Sequence, residues 1–397
     1  MNVLYLSYDG MTDPLGQSQV LPYLTGLASE HSITIISFEK RERSQVNTVI
    51  QEIVRKSNIE WIPLEYHKRP AIISTLRDVY AMWQTALSIV KKRPIHLVHC
   101  RSYITALVGL RLKKRLGIPF LFDMRGFWAD ERVEGGLWNV NNPVYKTIYN
   151  RFKRWEKEFV KNADSIVTLT QCGKKEVASW KLNDQIVVIP CCVDENLFDP
   201  LKIDTDEKKE LRIALGINEK DFILIYVGSL STWYLLDDMM RFYSVLREKV
   251  ASPKFLILTS EQIDFSRWGW NREIITQFVP RDKMPLYISL ANASVFFVKP
   301  SYSKKGSSAT KMAELMAMNI PFVTNSGWGD VEEILSQGGG GLLLSQLNES
   351  AFNKAVTELT TYRLPPSRSV VKNYFSLSSG IKLYSQLYGS IGKKNFR

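Results

Sequence analysis

The chain has 397 residues, 45% of them hydrophobic and 23% charged, which suits two or three folded domains and excludes a disordered chain. Its net charge of +12 comes from 52 Lys and Arg against 40 Asp and Glu, and the first 195 residues hold 27 against 20. No apolar run approaches the roughly 20 residues that span a bilayer, and the opening MNVLYLSYDG enters a strand pattern with no basic stretch before it, unlike a signal peptide.

The first half alternates short apolar runs with helical patterns. NVLYLSY predicts a strand, GQSQVLPYLTGLASE a helix after Gly16, and SITIISF the next strand. A long amphipathic helix is expected over 77–92, then strand HLVHC, a helix over 103–116 and strand PFLFDMRG. A helix over 143–161, strand DSIVTL, a helix over 173–180 and strand IVVIPC follow. This β/α rhythm implies a parallel, doubly wound sheet. Residues 199–210, polar and charged, read as a linker.

A second β/α series then begins. FILIYVG and KFLILT predict strands, with helices over 235–248 and 284–291. The apolar run ASVFFV predicts a strand ending at Val298, and KPSYSKKGSSATKMAELMAMNIPFVTNSGWGD follows. In it a polar loop with Lys304, Lys305, Gly306, Ser307 and Ser308 leads to a helix starting near Ala309 or Thr310. Met312, Leu315 and Met316 form its apolar face, and PFVTN is the next strand. GLLL predicts another strand, residues 349–359 a helix, and SLSSGIKLYSQLYGSI a final amphipathic helix. The boundaries expected are an N-terminal Rossmann-like domain over 1–198, with 376–397 packing back on it, and a C-terminal one over 208–375. Loops at the carboxyl ends of both sheets would line a cleft, because ligands of open α/β sheets bind at those ends.

A helix N-terminus exposes unpaired N–H groups and suits phosphate. Lysines beside it add charge, and Glu314, one turn into the helix, can accept from vicinal hydroxyls. Phosphate donors next to a diol acceptor point to a nucleotide diphosphate sugar. The plainer reading is a capped helix with solvated lysines. Cys100, Cys172, Cys191 and Cys192 show no zinc-like spacing, and His31, His67, His96 and His99 form no metal pattern. A reducing, cytoplasmic compartment and no metal or cofactor are expected. Basic clusters with aromatics at Lys91–Arg93, Arg111–Arg115 and Arg151–Trp155 suit an anionic lipid surface or a solubilising face. There is no helix-turn-helix or stacking signature for nucleic acid.

The order and spacing of these segments resemble the retaining glycosyltransferases of family four, with their two-Rossmann GT-B fold, nearly end to end. DPLGQSQVLPYLTGLA resembles the family's N-terminal glycine loop and helix, and ADSIVTLTQCGKKE and VVIPCCVDENLF the close of its first domain. IYVGSLS, FVPRDKMPLYISLANASVFF and KMAELMAMNIPFVTNSGWGDVEEIL resemble the first strand, base-binding loop and donor-sugar helix of its second domain. FSLSSGIKLYSQLY resembles the crossing terminal helix. The family's Glu-x7-Glu pattern keeps only its second member, Glu314, since Gly306 stands at the first. The Arg and Lys often found after the VG glycine are absent from VGSLSTWYLL.

The resemblance implies a donor site of Gly16, Gly228, Ser229, Arg281, Lys304, Ser307, Ser308, Thr310, Lys311 and Glu314. Lys304, Lys305 and Lys311 would supply the missing cationic charge. FDMRGFWADERVEGGLW follows a strand and offers Arg125, Trp128 and Asp130 for the acceptor, with Arg101 ending another strand beside His99. Lys311, Glu314 and Arg125 are the expected catalytic residues. The implied reaction moves a hexose or N-acetylated relative to a glycan or lipid-linked hydroxyl, for cell-surface polysaccharide, at the inner face of the cell membrane. The alternatives are a sugar-nucleotide epimerase or hydrolase on the same fold, and a non-catalytic GT-B scaffold.

Overall fold

The computed structural model describes residues 1–230, 232–270, 272–361, 364 and 367–395. Ser231, inside VGSLSTWYLL, and Phe396 and Arg397, which end the terminal segment, lie outside the described residues. The chain forms two compact units. The first holds Met1–Pro190, Lys305–Ser307 and Leu377–Arg397, and the second Cys191–Lys304 and Ser308–Ser376.

The first unit is built on seven parallel strands: β1 (Asn2–Ser7), β2 (Ser32–Glu39), β3 (Glu60–Glu65), β4 (Leu97–Arg101), β5 (Phe120–Asp123), β6 (Ser165–Thr168) and β7 (Ile186–Val188). Their order is β3-β2-β1-β4-β5-β6-β7. The second unit has β8 (Phe222–Val227), β9 (Pro253–Leu258), β10 (Ile274–Gln277), β11 (Ala293–Val295), β12 (Phe322–Asn325) and β13 (Gly341–Leu344), in the order β10-β9-β8-β11-β12-β13. All pairs are parallel, and the central strands, such as β1, β4 and β8, are buried and read as apolar runs, whereas the edge strands β3 and β10 are partly exposed. In both sheets the order reverses beside the first strand, at β1/β4 and at β8/β11. That is where doubly wound sheets bind ligands, at the carboxyl ends.

The terminal helix Leu377–Asn395 belongs to the first unit, with Tyr384, Tyr388 and Ile391 buried. Its approach depends on Gly26, where an added Cβ would sit 2.4 Å from Ile381 Cδ1.

Several elements differ from expectation. The first helix is two, Pro14–Gln19 and Leu21–Leu27, broken at Val20 (φ −124°, ψ −64°). Pro22 has no N–H to give and its ring would clash with the preceding turn. The second half of the expected linker begins the helix Thr205–Ala214, whose cap is Asp204, accepting from the N–H groups of Asp206 (2.8 Å) and Glu207 (3.0 Å). Polar composition hid a capped, surface helix. The long helix starts at Ala71, six residues before the expected start. Strands β3 and β10 and the helices Asn47–Lys56, Val331–Ser336 and Arg368–Tyr374 were not expected. β3 holds Pro63, which is tolerated because β3 is a sheet edge.

Candidate active site

In the second unit four segments converge at the carboxyl end of β8. Gly228 follows that strand with φ +113°, a backbone that glycine adopts without strain. The helix Thr310–Ala317 begins beside it, and its Lys311 amine lies 3.3 Å from where a Gly228 Cβ would be. Lys311 Nζ donates to Tyr226 Oη (2.7 Å) and sits 3.4 Å from the Tyr234 ring centroid. Tyr226 in turn donates to the Ser229 carbonyl. Lys311 is 7% exposed. Among the described residues no carboxylate lies within ion-pair distance of it. Burial pushes its amine well below the ordinary lysine range, against the opposing pull of Glu314 and Glu261.

One turn further on, Glu314 Oε1 accepts from Arg281 Nη1 at 2.7 Å, and the pair is largely buried. Arg281 also lies over the Phe198 ring. Ser229 Oγ donates to Glu261, which also accepts from Leu230 N (3.3 Å). The Lys304 ammonium packs 3.8 Å over Trp233, and Lys304 O accepts from Gly329 N. Ser308 Oγ accepts from Cys191 N at 3.2 Å. The structure thus brings Gly228 and Ser229 together with Lys311, and Arg281 with Glu314.

Gly16, Lys305 and Ser307, expected with the donor residues, belong to the first unit. Gly16 is a close-packing position, where a Cβ would meet Gly10 O at 2.1 Å. The neighbouring loop is already filled by Glu39, whose carboxylate accepts from Met11 N (2.8 Å), Thr12 N (3.1 Å) and Thr12 Oγ1 (2.6 Å). Lys305 pairs with Glu176 at 3.1 Å. A Cβ on Gly306 would lie 3.0 Å from Gly126 Cα and 3.2 Å from Phe127, so a glutamate has no room there.

At the carboxyl edge of the first sheet a buried polar network spans β4 and β5. Arg101 ends β4, is 4% exposed, and its Nε donates to Asp9 at 3.2 Å. Asp123 ends β5 and lies 3.7 Å from Arg125 Nη1. Arg125 has φ +57°, an unusual backbone for a bulky residue. His99 Nε2 faces Asp123 Oδ2 (3.4 Å) and its Nδ1 faces Tyr388 Oη (2.7 Å), while Tyr384 Oη donates to Asp123 Oδ2 at 3.2 Å. Burial lowers the His99 pKa despite Asp123, so the ring is neutral at pH 7. With Nε2–H donating to Asp123, Nδ1 accepts from Tyr388. Burial opposes ionisation of Asp123, but Arg125, His99 and Arg101 outweigh it and hold its carboxyl below the usual range.

Trp128 stacks on Tyr103 (5.9 Å, 28°) and meets Phe152 and Trp138, with Arg132 over its ring. Both Asp130 oxygens are engaged, by Tyr149 Oη and Lys153 Nζ at 2.8 Å each. Tyr226, Tyr234, Glu261, Glu39, Asp123, Tyr384 and Tyr388 were not singled out in the sequence. Each acts through partners far away in the chain, and no local spacing marks them.

Among the described residues no group of three or more His, Cys, Asp or Glu is placed to hold a metal ion. Nor is any helix long and apolar enough to cross a membrane. Of the basic clusters, Lys113 pairs with Asp164 (2.7 Å) and Lys114 with Glu158 (3.5 Å), while Arg111 lies over Trp83. Lys91, Lys92, Arg151 and Arg154 are exposed.

The architecture matches known structures over almost its whole length. A sucrose-phosphate synthase from Thermosynechococcus elongatus aligns with TM-score 0.73 at 14% identity, covering 98% of each chain. The Anabaena protein HepE, solved with UDP and glucose, aligns with TM-score 0.70 at 12% identity, covering 98% of this chain and 99% of that one. Two parallel Rossmann-like units of this kind define the GT-B class. The family model described as Glycosyltransferase Family 4 matches residues 20–197, and that described as Glycosyl transferases group 1 matches residues 207–374. The chain belongs to this family of glycosyltransferases. A D-inositol 3-phosphate glycosyltransferase from Segniliparus rotundus is 25% identical over 134 residues, 33% of this chain and 27% of that relative. The match thus spans about a quarter of that curated relative's length.

Proposed function

We propose that this protein transfers a sugar from a nucleoside diphosphate sugar to a hydroxyl of a glycan or lipid-linked saccharide, with retention of anomeric configuration, in cell-surface polysaccharide synthesis. The observation that carries the reading is the setting of Lys311. A buried amine, with no carboxylate within ion-pair distance among the described residues, stands at the switch point of the second sheet, on the first turn of a helix whose N-terminal dipole favours anions. A diphosphate supplies the missing counter-charge and favours the protonated amine. As the sugar leaves, negative charge grows on the diphosphate, and preoriented donors stabilise it more in the transition state than in the ground state. Lys304 and Arg281 add positive charge, so no metal is called for. Glu314 keeps Oε2 for a ribose or sugar hydroxyl while Arg281 holds Oε1.

The HepE complex with UDP and glucose supports a nucleotide-sugar donor. Arg101, Arg125 and Asp9 lie at the carboxyl edge of the first sheet, and their charged groups support a role in binding an acceptor's hydroxyl or acidic groups. The sugar is a hexose or an N-acetylated hexosamine. The exposed cations of the first unit favour peripheral attachment to the anionic inner face of the cell membrane, where a lipid-linked acceptor is presented.

Thermal unfolding of the full chain with UDP-, GDP- and ADP-sugars tests the donor assignment. One base class is expected to raise the midpoint, since a ligand at 100 times its dissociation constant adds about 2.7 kcal/mol. No shift with any of the three contradicts the assignment and favours a non-catalytic scaffold.

A further inference from the structure

The helix Ala71–Lys92 reverses its polarity along its length. In its later turns the buried face is apolar, with Met82, Trp83, Ala86 and Ile89, and the exposed face carries Gln84, Ser88 and Lys91. In its first turns the arrangement is inverted. The inward positions are Ser74 and Asp78, and the outward ones are Ile72, Ile73, Leu76 and Tyr80, exposed by 47, 65, 63 and 62%. The inward polar groups are satisfied. Asp78 accepts from Tyr8 Oη (2.9 Å) and the His67 backbone N–H (3.3 Å), and its Oδ1 meets His67 Nδ1 at 2.7 Å. Asp78 is fully buried, so it offers no negative charge to the surface.

Solvent-facing aliphatic side chains on adjacent helical turns are costly unless something covers them. Lys68 and Arg69, just before the helix, and Arg77 within it are exposed, and no exposed carboxylate lies between His67 and Tyr80 in the sequence. A protein partner would meet an apolar face with a rim of mixed sign. Aliphatic side chains, an amphipathic tyrosine and cations alone match the anionic headgroup layer of a bilayer, where such a helix lies in the interface plane. The same turns touch the carboxyl end of the first sheet, because Tyr8, which bonds Asp78, directly follows β1.

We infer that the first turns of this helix insert Ile72, Ile73, Leu76 and Tyr80 into an anionic lipid surface, with Lys68, Arg69 and Arg77 holding the headgroups. This rests on the membrane reading proposed above and names the element that performs the attachment. The apolar side chains supply depth and the cations supply the preference for anionic lipid, the two signals that stable peripheral anchoring needs. The carboxyl edge of the first sheet is thereby brought to the membrane surface.

The test is sedimentation of the full chain with phosphatidylcholine vesicles, with and without about 30 mol% phosphatidylglycerol to supply an anionic headgroup surface. The variants are Ile73→Gln/Leu76→Gln and Arg151→Glu/Arg154→Glu. Wild type is expected to bind the phosphatidylglycerol vesicles and to bind neutral ones at least tenfold more weakly. The Ile73→Gln/Leu76→Gln variant should lose roughly a hundredfold in partition, tenfold for each side chain withdrawn from the lipid. Both side chains face solvent, and circular dichroism should be unchanged. Arg151→Glu/Arg154→Glu should lose less, and only at low salt. If the glutamine variant binds as wild type does while the charge-reversed one loses binding, the insertion is wrong and membrane attachment stands. If wild type binds no vesicle, both are wrong. A concentration-dependent dimer that the glutamine variant abolishes, without vesicle binding, assigns this face to a second copy and overturns the inference.

Discussion

Lys311→Ala is expected to lower turnover by roughly 10²–10³-fold, with a smaller loss of donor affinity. A single oriented donor to a developing oxyanion is worth about 3–4 kcal/mol, and the charge on the leaving diphosphate grows in the transition state. The amine is held in place by Tyr226 and Tyr234 and cannot be replaced by solvent. Stability should move the other way in Lys311→Met, which fills the site without an amine to desolvate. The pH dependence separates the two states. Burial sets the folded-state pKa of Lys311 below its unfolded value, so between those values the unfolded chain binds the extra proton. Wild-type stability therefore rises with pH through that window, up to about 10.4, and is least helped below it. Lys311→Met should lack this rise while the rest of the profile is kept. Paired urea titrations of both proteins between neutral pH and pH 10 read the difference. Equal slopes, or full turnover in Lys311→Ala, would remove Lys311 from the site.

Glu314→Gln should weaken nucleotide-sugar binding about ten- to hundredfold and leave the chain folded. The carboxylate loses its charge-assisted bond with Arg281, and a ligand hydroxyl loses a strong acceptor, together on the order of 1–3 kcal/mol. Arg281 keeps its contact with the Phe198 ring, so its side chain stays in place. Calorimetric titration of the donor measures the change. Unchanged affinity in Glu314→Gln would show that the hydroxyls are held elsewhere.

The helix Thr310–Ala317 was legible because its signals are local. Met312, Leu315 and Met316 fall on one face, and all three are buried. The polar loop before Thr310 marks the start. What makes Lys311 special was not legible. A lysine in a first helical turn reads as exposed, and its enclosure depends on Tyr226, 85 residues away in the middle of an apolar strand. The network at Asp123 was hidden for the same reason, since its Tyr384 partner is 261 residues distant on the terminal helix. The first turns of the helix Ala71–Lys92 escaped because periodicity finds a buried apolar face, and there the apolar face points outward. Sheet order was implied only as a doubly wound sheet. The β8–β11 switch point, which gathers Gly228 and Lys311, comes from strand pairing and not from any motif.

The most direct measurement follows a sugar-labelled donor, of the base class that stabilises the chain, in a reaction with lipid-linked saccharide or glycan acceptors. The prediction is label covalently joined to the acceptor, one nucleoside diphosphate released per sugar transferred, and the donor's anomeric configuration kept in the product's NMR spectrum. Label recovered as free sugar, or as an epimerised nucleotide sugar with no acceptor modified, would contradict glycosyl transfer and turn the same buried lysine to a different reaction.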